Sequence, residues 1–176
     1  MNNYLSPAEI LDKKQQYLVP CVYHFYQQPP HIVRGSMQYL FDHTGKRYLY
    51  CFAGVSVVNC GHCHPAITAA VCQQVQTLQH TTTIYLTQNM MLLAERLAQI
   101  TPGRLTKTFF CSSGSEANEG AALLATLYTG GSWFISLSQS LHGRTKLAMS
   151  LTGLEFWRTD PQPLSTVTHV PPPYCF

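Results

Sequence analysis

Apolar positions change their spacing several times along the chain, and each change predicts an element. Ser6-Pro7-Ala8-Glu9 opens the first. A hydroxyl, a proline at the first helical position and a glutamate three residues after the serine form a capping box, which predicts a helix to about Lys14. Residues 17–30, ending in Pro29-Pro30, carry no regular period. Residues 32–41 then read as a strand and residues 48–58 as further extended chain, with the turn residues Asp42-His43-Thr44-Gly45 between them. A small antiparallel sheet is expected there.

From Pro65 the period lengthens. Ile67, Val71, Val75 and Leu78 fall on one face of a helix started by the proline. Met90, Leu93, Ala94 and Leu97 stripe a second helix, which stops at Thr101-Pro102-Gly103, and Met90-Met91 reads as core. Residues 105–111 predict a strand. Ala117, Ala121, Leu124 and Tyr128 predict a third helix ended by Gly130-Gly131, followed by a short buried strand at 133–137 and a loop at 138–143. A strand, helix, strand order of this length implies a right-handed parallel crossover. The expected architecture is an α/β domain over residues 65–176, preceded by a smaller α+β segment over residues 1–64. The tail 156–176, with Pro171-Pro172-Pro173, reads as extended and without a partner in the chain.

Composition narrows the classes. Of 176 residues 45% are apolar and only 11% charged, against the usual quarter or so, so much of the surface is expected to be covered by a longer chain or an assembly. Eleven Lys and Arg face eight Asp and Glu with no basic block, which argues against nucleic-acid and membrane partners. Residues 1–7 lack the basic-then-apolar pattern of a signal peptide and no apolar run reaches bilayer length, so a cytoplasmic protein is expected. The seven cysteines, at positions 21, 51, 60, 63, 72, 111 and 175, then read as buried free thiols.

Two stretches carry candidate chemistry. In Thr108-Phe109-Phe110-Cys111-Ser112-Ser113-Gly114-Ser115-Glu116-Ala117-Asn118-Glu119 an apolar run breaks into hydroxyls and glycine and passes into a helix. Backbone N–H groups and the positive end of the helix dipole then face one point, which suits a phosphate. An ordinary strand-to-helix turn with a serine cap has the same local pattern. Cys60-Gly61-His62-Cys63-His64 matches C-x-x-C-H, the attachment pattern of c-type haem. Zinc would want a second Cys/His pair, and none stands out. The plain alternative is a turn leading into the helix at Pro65.

Three stretches taken together decide between these readings. They are Tyr48-Leu49 to Gly54 with Asn59 and Gly61-His62-Cys63-His64-Pro65, then Ser112 to Glu119, then Leu141-His142-Gly143-Arg144-Thr145. In this order the chain resembles the N-terminal part of a class III aminotransferase, a pyridoxal-phosphate enzyme of fold type I, nearest the alanine–glyoxylate aminotransferase-like branch. The resemblance runs from about Ser6 onward and covers less than half of a typical member. It implies an incomplete large domain, mostly parallel sheet with flanking helices, over residues 65–176, and part of the small domain over 1–64. It implies pyridoxal 5'-phosphate held by Ser113, Gly114 and Ser115, with Glu116 and Asn118 bracing the helix start. Leu141 and His142 take the family's aromatic-His-Gly place, where leucine covers the ring face without π-stacking. Tyr50 stands where the family has an acidic residue.

The resemblance further implies a homodimer that passes an amino group from an amino acid or amine to a 2-oxo acid. The family's cofactor-linking lysine and its carboxylate for the ring nitrogen belong to later strands. None of Lys13, Lys14, Lys46, Lys107 and Lys146 sits in that lysine's context, and Asp160 is the only Asp after Ser115. No catalytic residue or metal ligand is therefore assigned, and the chain is expected to be inactive alone. The competing expectations are a non-catalytic remnant or partner subunit that binds phosphate compounds, and a c-type haem protein using Cys60, Cys63 and His64.

Overall fold

A computed structural model describes residues 4–174, which fall into two compact units, Met1–Tyr85 and Leu86–Phe176. In the first unit the capping box forms as its sequence demands. Helix α1 (Pro7–Tyr17) starts with the Glu9 N–H donating to Ser6 Oγ at 3.3 Å and the Ser6 N–H donating to Glu9 Oε2 at 2.8 Å. Donation from the Ser6 hydroxyl to Glu9 Oε2 at 2.7 Å, and then from the Ser6 N–H, holds the Glu9 carboxyl below its ordinary range.

The expected single strand at 32–41 is two strands, β1 (Ile32–Ser36) and β2 (Tyr39–Asp42), paired antiparallel. Met37, at φ 49°, turns the chain, and its N–H and C=O both bond to His62, at 2.7 and 2.8 Å. Gly61 permits this approach: a Cβ there would lie 2.9 Å from Met37 Cα, and its φ is +89°. β3 (Arg47–Leu49) completes the order β1-β2-β3.

The β2–β3 turn is built on Asp42. Its Oδ1 accepts from Thr44 N, Thr44 Oγ1 and Lys46 N, at 2.9, 2.6 and 3.0 Å, and its Oδ2 accepts from Tyr48 OH at 2.7 Å. The expected extended chain at 48–58 ends early. Residues 53–56 instead form a short helical turn, α2 (Ala53–Ser56), in which all four φ values are positive, from 49° to 63°. Helix α3 (Pro65–Thr77) follows where the period placed it, and its stripe Ile67, Val71, Val75, Leu78 stays about half exposed.

In the second unit α4 (Gln88–Ile100), α5 (Gly114–Thr129) and β4 (Phe134–Leu137) appear as expected, and Gly130 caps α5 at φ 71°. Residues 105–111 join no ladder among the described residues, so the expected strand there is absent. The parallel crossover joins other elements: β4 runs through α6 (Lys146–Leu151) to β5 (Val167–Val170), with Phe134 beside Val167. The tail expected to lack a partner thus supplies a strand. Asp160 in the same tail pairs with Lys146 Nζ, which holds the Asp160 carboxyl below its usual range.

Four burial expectations are also corrected. The α5 stripe Ala117, Ala121, Leu124, Tyr128 faces outward, with Tyr128 93% exposed, while Ala122 is buried. Met91 is exposed, and the expected buried strand β4 buries only Ser136. Cys51, Cys60, Cys63, Cys72 and Cys111 are exposed thiols and Cys21 is partly covered; Cys175 lies outside the described residues.

Candidate functional site

The interior of the second unit is made of small and hydroxyl side chains: Ala148, Ser150 and Thr152 are buried completely or nearly so, with Ser136 and Ala122 beside them. Hydroxyls tolerate such burial only when paired. Ser150 Oγ donates to Lys146 O at 2.8 Å and accepts from Leu164 N at 3.0 Å. Thr152 Oγ1 donates to Ala148 O at 2.9 Å and accepts from His142 N at 3.0 Å. Ser136 Oγ donates to Leu151 O at 2.6 Å, with His142 Nε2 3.3 Å away. The His142 ring is therefore turned toward β4.

Above this floor stands the start of α5. Ser113 is its N-cap, the hydroxyl accepting from Glu116 N at 3.2 Å, and Glu116 Oε2 accepts from Ser112 N at 2.8 Å. The first turn of a helix has N–H groups with no intrahelical acceptor. Here Gly114 N–H and Ser115 N–H have no acceptor among the described residues. The space a Gly114 side chain would fill is open, so an anion can approach both donors at the positive end of a 16-residue helix.

The loop after β4 is tied to the same turn. Arg144 N donates to Ser115 Oγ at 3.0 Å and Asn118 Nδ2 donates to His142 O at 2.6 Å. Gly143 lies so close to Ser115 that a Cβ would fall 2.8 Å from the serine Cα, at a φ of +143°. Leu141 projects from this loop 57% exposed, and the Arg144 guanidinium lies 5.8 Å from the Trp157 ring. Glu119 Oε1 accepts from Leu147 N and Ala148 N at 3.2 and 3.3 Å, and so caps α6 from α5.

All five residues expected at a cofactor site, Ser113, Gly114, Ser115, Leu141 and His142, thus belong to one turn and the loop bonded to it. Glu116 braces the helix start as expected, whereas Asn118 reaches the loop. The expectations omitted Glu119, Ser136 and Thr152. For Glu119 a signal was present, since Ser115, Asn118, Glu119 and Ala122 recur at the spacing of a single helix face.

The C-x-x-C-H stretch lies in the first unit. Cys60 and His62 line a cavity of about 400 Å³ with Met37, Tyr50 and Asn59, and His62 Nε2 is buried without a hydrogen-bond partner. Among the described residues no group of three or more His, Cys, Asp or Glu is placed to hold a metal ion. No helix there is long and apolar enough to cross a membrane.

A sequence model of the class-III aminotransferase family matches residues 24–174. The chain belongs to the class III aminotransferase family. It is 43% identical over 157 residues to an Arabidopsis thaliana protein named alanine–glyoxylate aminotransferase 2 homolog 2, mitochondrial, covering 88% of this chain and 33% of that protein. It is 37% identical to an acetylornithine aminotransferase of Methanothermobacter thermautotrophicus, over 95% of this chain and 42% of the relative.

Among solved structures it resembles an (S)-enantioselective omega-transaminase of Thermomicrobium roseum, with a TM-score of 0.82 and 30% identity over 97% of this chain and 41% of that one. A Pseudomonas jessenii omega-transaminase in complex with PMP matches with a TM-score of 0.81 at 29% identity. The aminotransferase chain therefore spans between a third and about two fifths of the length of these relatives, and its fold is part of a fold-type I transaminase.

Proposed function

We propose that this aminotransferase chain is the phosphate-holding, N-terminal portion of a pyridoxal-phosphate enzyme, completed by a C-terminal part that supplies the cofactor-linking lysine. The observation that carries this is the pair of unclaimed N–H groups at Gly114 and Ser115, in open space at the positive end of α5. These two groups hold the phosphate, helped by the helix dipole. The Ser115 hydroxyl accepts from Arg144 N and keeps its own proton to donate. Leu141 covers one face of the ring by dispersion. The bound cofactor supplies the electron-accepting ring on which an amino group passes from an amino acid or amine to a 2-oxo acid.

Lys146 is already occupied. Its ammonium is bonded to Asp160 and to the carbonyl of Gln162, so it is not free to take the linking role. The uncovered apolar faces, including the α3 stripe and Ile84 and Leu86 at about 80% exposure, are surfaces for the rest of the subunit and for the second copy in a homodimer.

The test is titration of the chain with pyridoxal phosphate and with pyridoxal, followed by borohydride reduction and peptide mapping. Phosphate-dependent binding without a stoichiometric lysine adduct or amino transfer is expected, with activity appearing when the C-terminal part is added. Equal binding of pyridoxal and its phosphate would remove the cradle, and a single lysine adduct with turnover would remove the need for the missing part.

A further inference from the structure

We propose that Asn118 is a positioning residue for the cofactor ring: through the carbonyl of His142 it sets where Leu141 lies relative to the N–H groups of Gly114 and Ser115. The inference rests on the pyridoxal-phosphate reading and adds a coupling that the reading does not require. Phosphate donors and ring cover come from two stretches 26 residues apart (141 − 115), so something must fix one against the other. The structure assigns this to one face of α5. Ser115 and Asn118, three residues apart on that face, bond to two points of the loop only two residues apart: Arg144 N and His142 O.

Gly143 lies between those points, pressed against Ser115 where no side chain fits. From below, Thr152 Oγ1 accepts the His142 N–H. Leu141 makes no hydrogen bond among the described residues, so its position follows from its neighbour's. Thr152 holds the peptide joining Leu141 to His142, and the Asn118 bond, at 2.6 Å, holds the next one, at His142 O, so the two together fix the backbone direction of the residue that follows the leucine. An amide suits the place because it brings a donor to a carbonyl. An aspartate of the same shape would set an anion against it. Loss of the Asn118 amide leaves the cap at Ser113, the Arg144–Ser115 bond and both phosphate-facing N–H groups as they are.

The signature is therefore selective. Wild type, Asn118→Ala, Asn118→Asp and Asn118→Gln are titrated with pyridoxal phosphate and, separately, with inorganic phosphate, after circular dichroism shows equal helix content. Alanine and aspartate lower pyridoxal-phosphate affinity by about tenfold, the scale of one well-placed hydrogen bond. Phosphate affinity stays within about twofold, and glutamine, which keeps the donor, recovers most of the difference. Tryptic cleavage after the exposed Arg144 quickens several-fold in the alanine and aspartate variants.

Equal losses for both ligands would mark Asn118 as merely structural and overturn the proposal, as would unchanged cleavage at Arg144. A wild-type chain that binds pyridoxal phosphate no better than phosphate would instead overturn the cofactor reading beneath it, while the cleavage comparison still judges the loop tie.

Discussion

Val55 sits at φ 59° and ψ 53° in a run of four left-handed residues, and it is β-branched and 71% exposed. A left-handed backbone costs an L-residue about 1–2 kcal/mol, most of it steric and absent in glycine. Glycine gives back part of that gain through its looser unfolded chain. Val55→Gly should therefore raise the unfolding free energy by about 1 kcal/mol, read as a higher urea midpoint with unchanged slope.

Asp42 makes a different claim at the same scale. Bonds from the Thr44 hydroxyl, then Tyr48 OH, outweigh its burial and hold its carboxyl far below the ordinary range. Its folded value lies below its unfolded one. Its contribution is thus complete above the ordinary carboxylate range and is lost as pH falls toward the lowered value. Tyr48 shifts the opposite way, raised by its bond to Asp42, so its share is complete below the ordinary tyrosine range and is lost in strong alkali. The two limbs share the Asp42–Tyr48 bond, while the acid limb rests first on the Thr44 hydroxyl. Asp42→Asn should flatten the acid limb of a stability-against-pH curve; an unaltered limb would refute this. The Asx-type turn at Asp42 was legible in Asp-His-Thr-Gly, but the left-handed run at 53–56 was not, because only one of its four residues is glycine.

Helices announced themselves through period and caps, as α1, α3, α4 and α5 show. What periodicity misjudged was direction. The apolar stripe of α5 faces outward because its inner neighbours are a hydroxyl-lined floor and a loop, which want Ser115, Asn118 and Glu119. The pairing of β5 with β4 was hidden because strands about thirty residues apart meet through tertiary structure, and a proline-rich tail shows no alternation.

Glu119 gives the element-scale prediction. Its carboxylate takes two N–H groups in the first turn of α6, so Glu119→Ala should cost about 1–2 kcal/mol, typical of a lost cap. Faster amide exchange at Leu147 and Ala148 would register it. Glu119→Gln keeps an acceptor and should fall between the two.

Over the whole molecule the accessible surface is 14,491 Å² for 19.7 kDa. A folded monomer of that mass exposes about 8,600 Å², and two separate half-size units about 10,400 Å². The excess holds however the units are arranged, and much of it is apolar, including Phe109, Ile135 and Trp133 at 73–82% exposure. The low charge share in the sequence had pointed the same way. Alone, the chain should bind a hydrophobic dye strongly and melt broadly; a sharp transition from a monodisperse monomer would contradict this. Adding the complementary part should sharpen the transition and abolish dye binding.

Residues 105–111, lying beside no strand among the described residues, bear on how such an enzyme is made. The segment leads directly into the turn at Ser113, and nothing among the described residues gives its backbone a ladder. In a full-length relative, a ribosome would present this stretch before its neighbours exist, on the order of tens of seconds early. During that interval an apolar, unpaired backbone is open to other nascent chains. The order of synthesis would thus make the matching portion of such a relative a client for chaperones before its neighbours cover it.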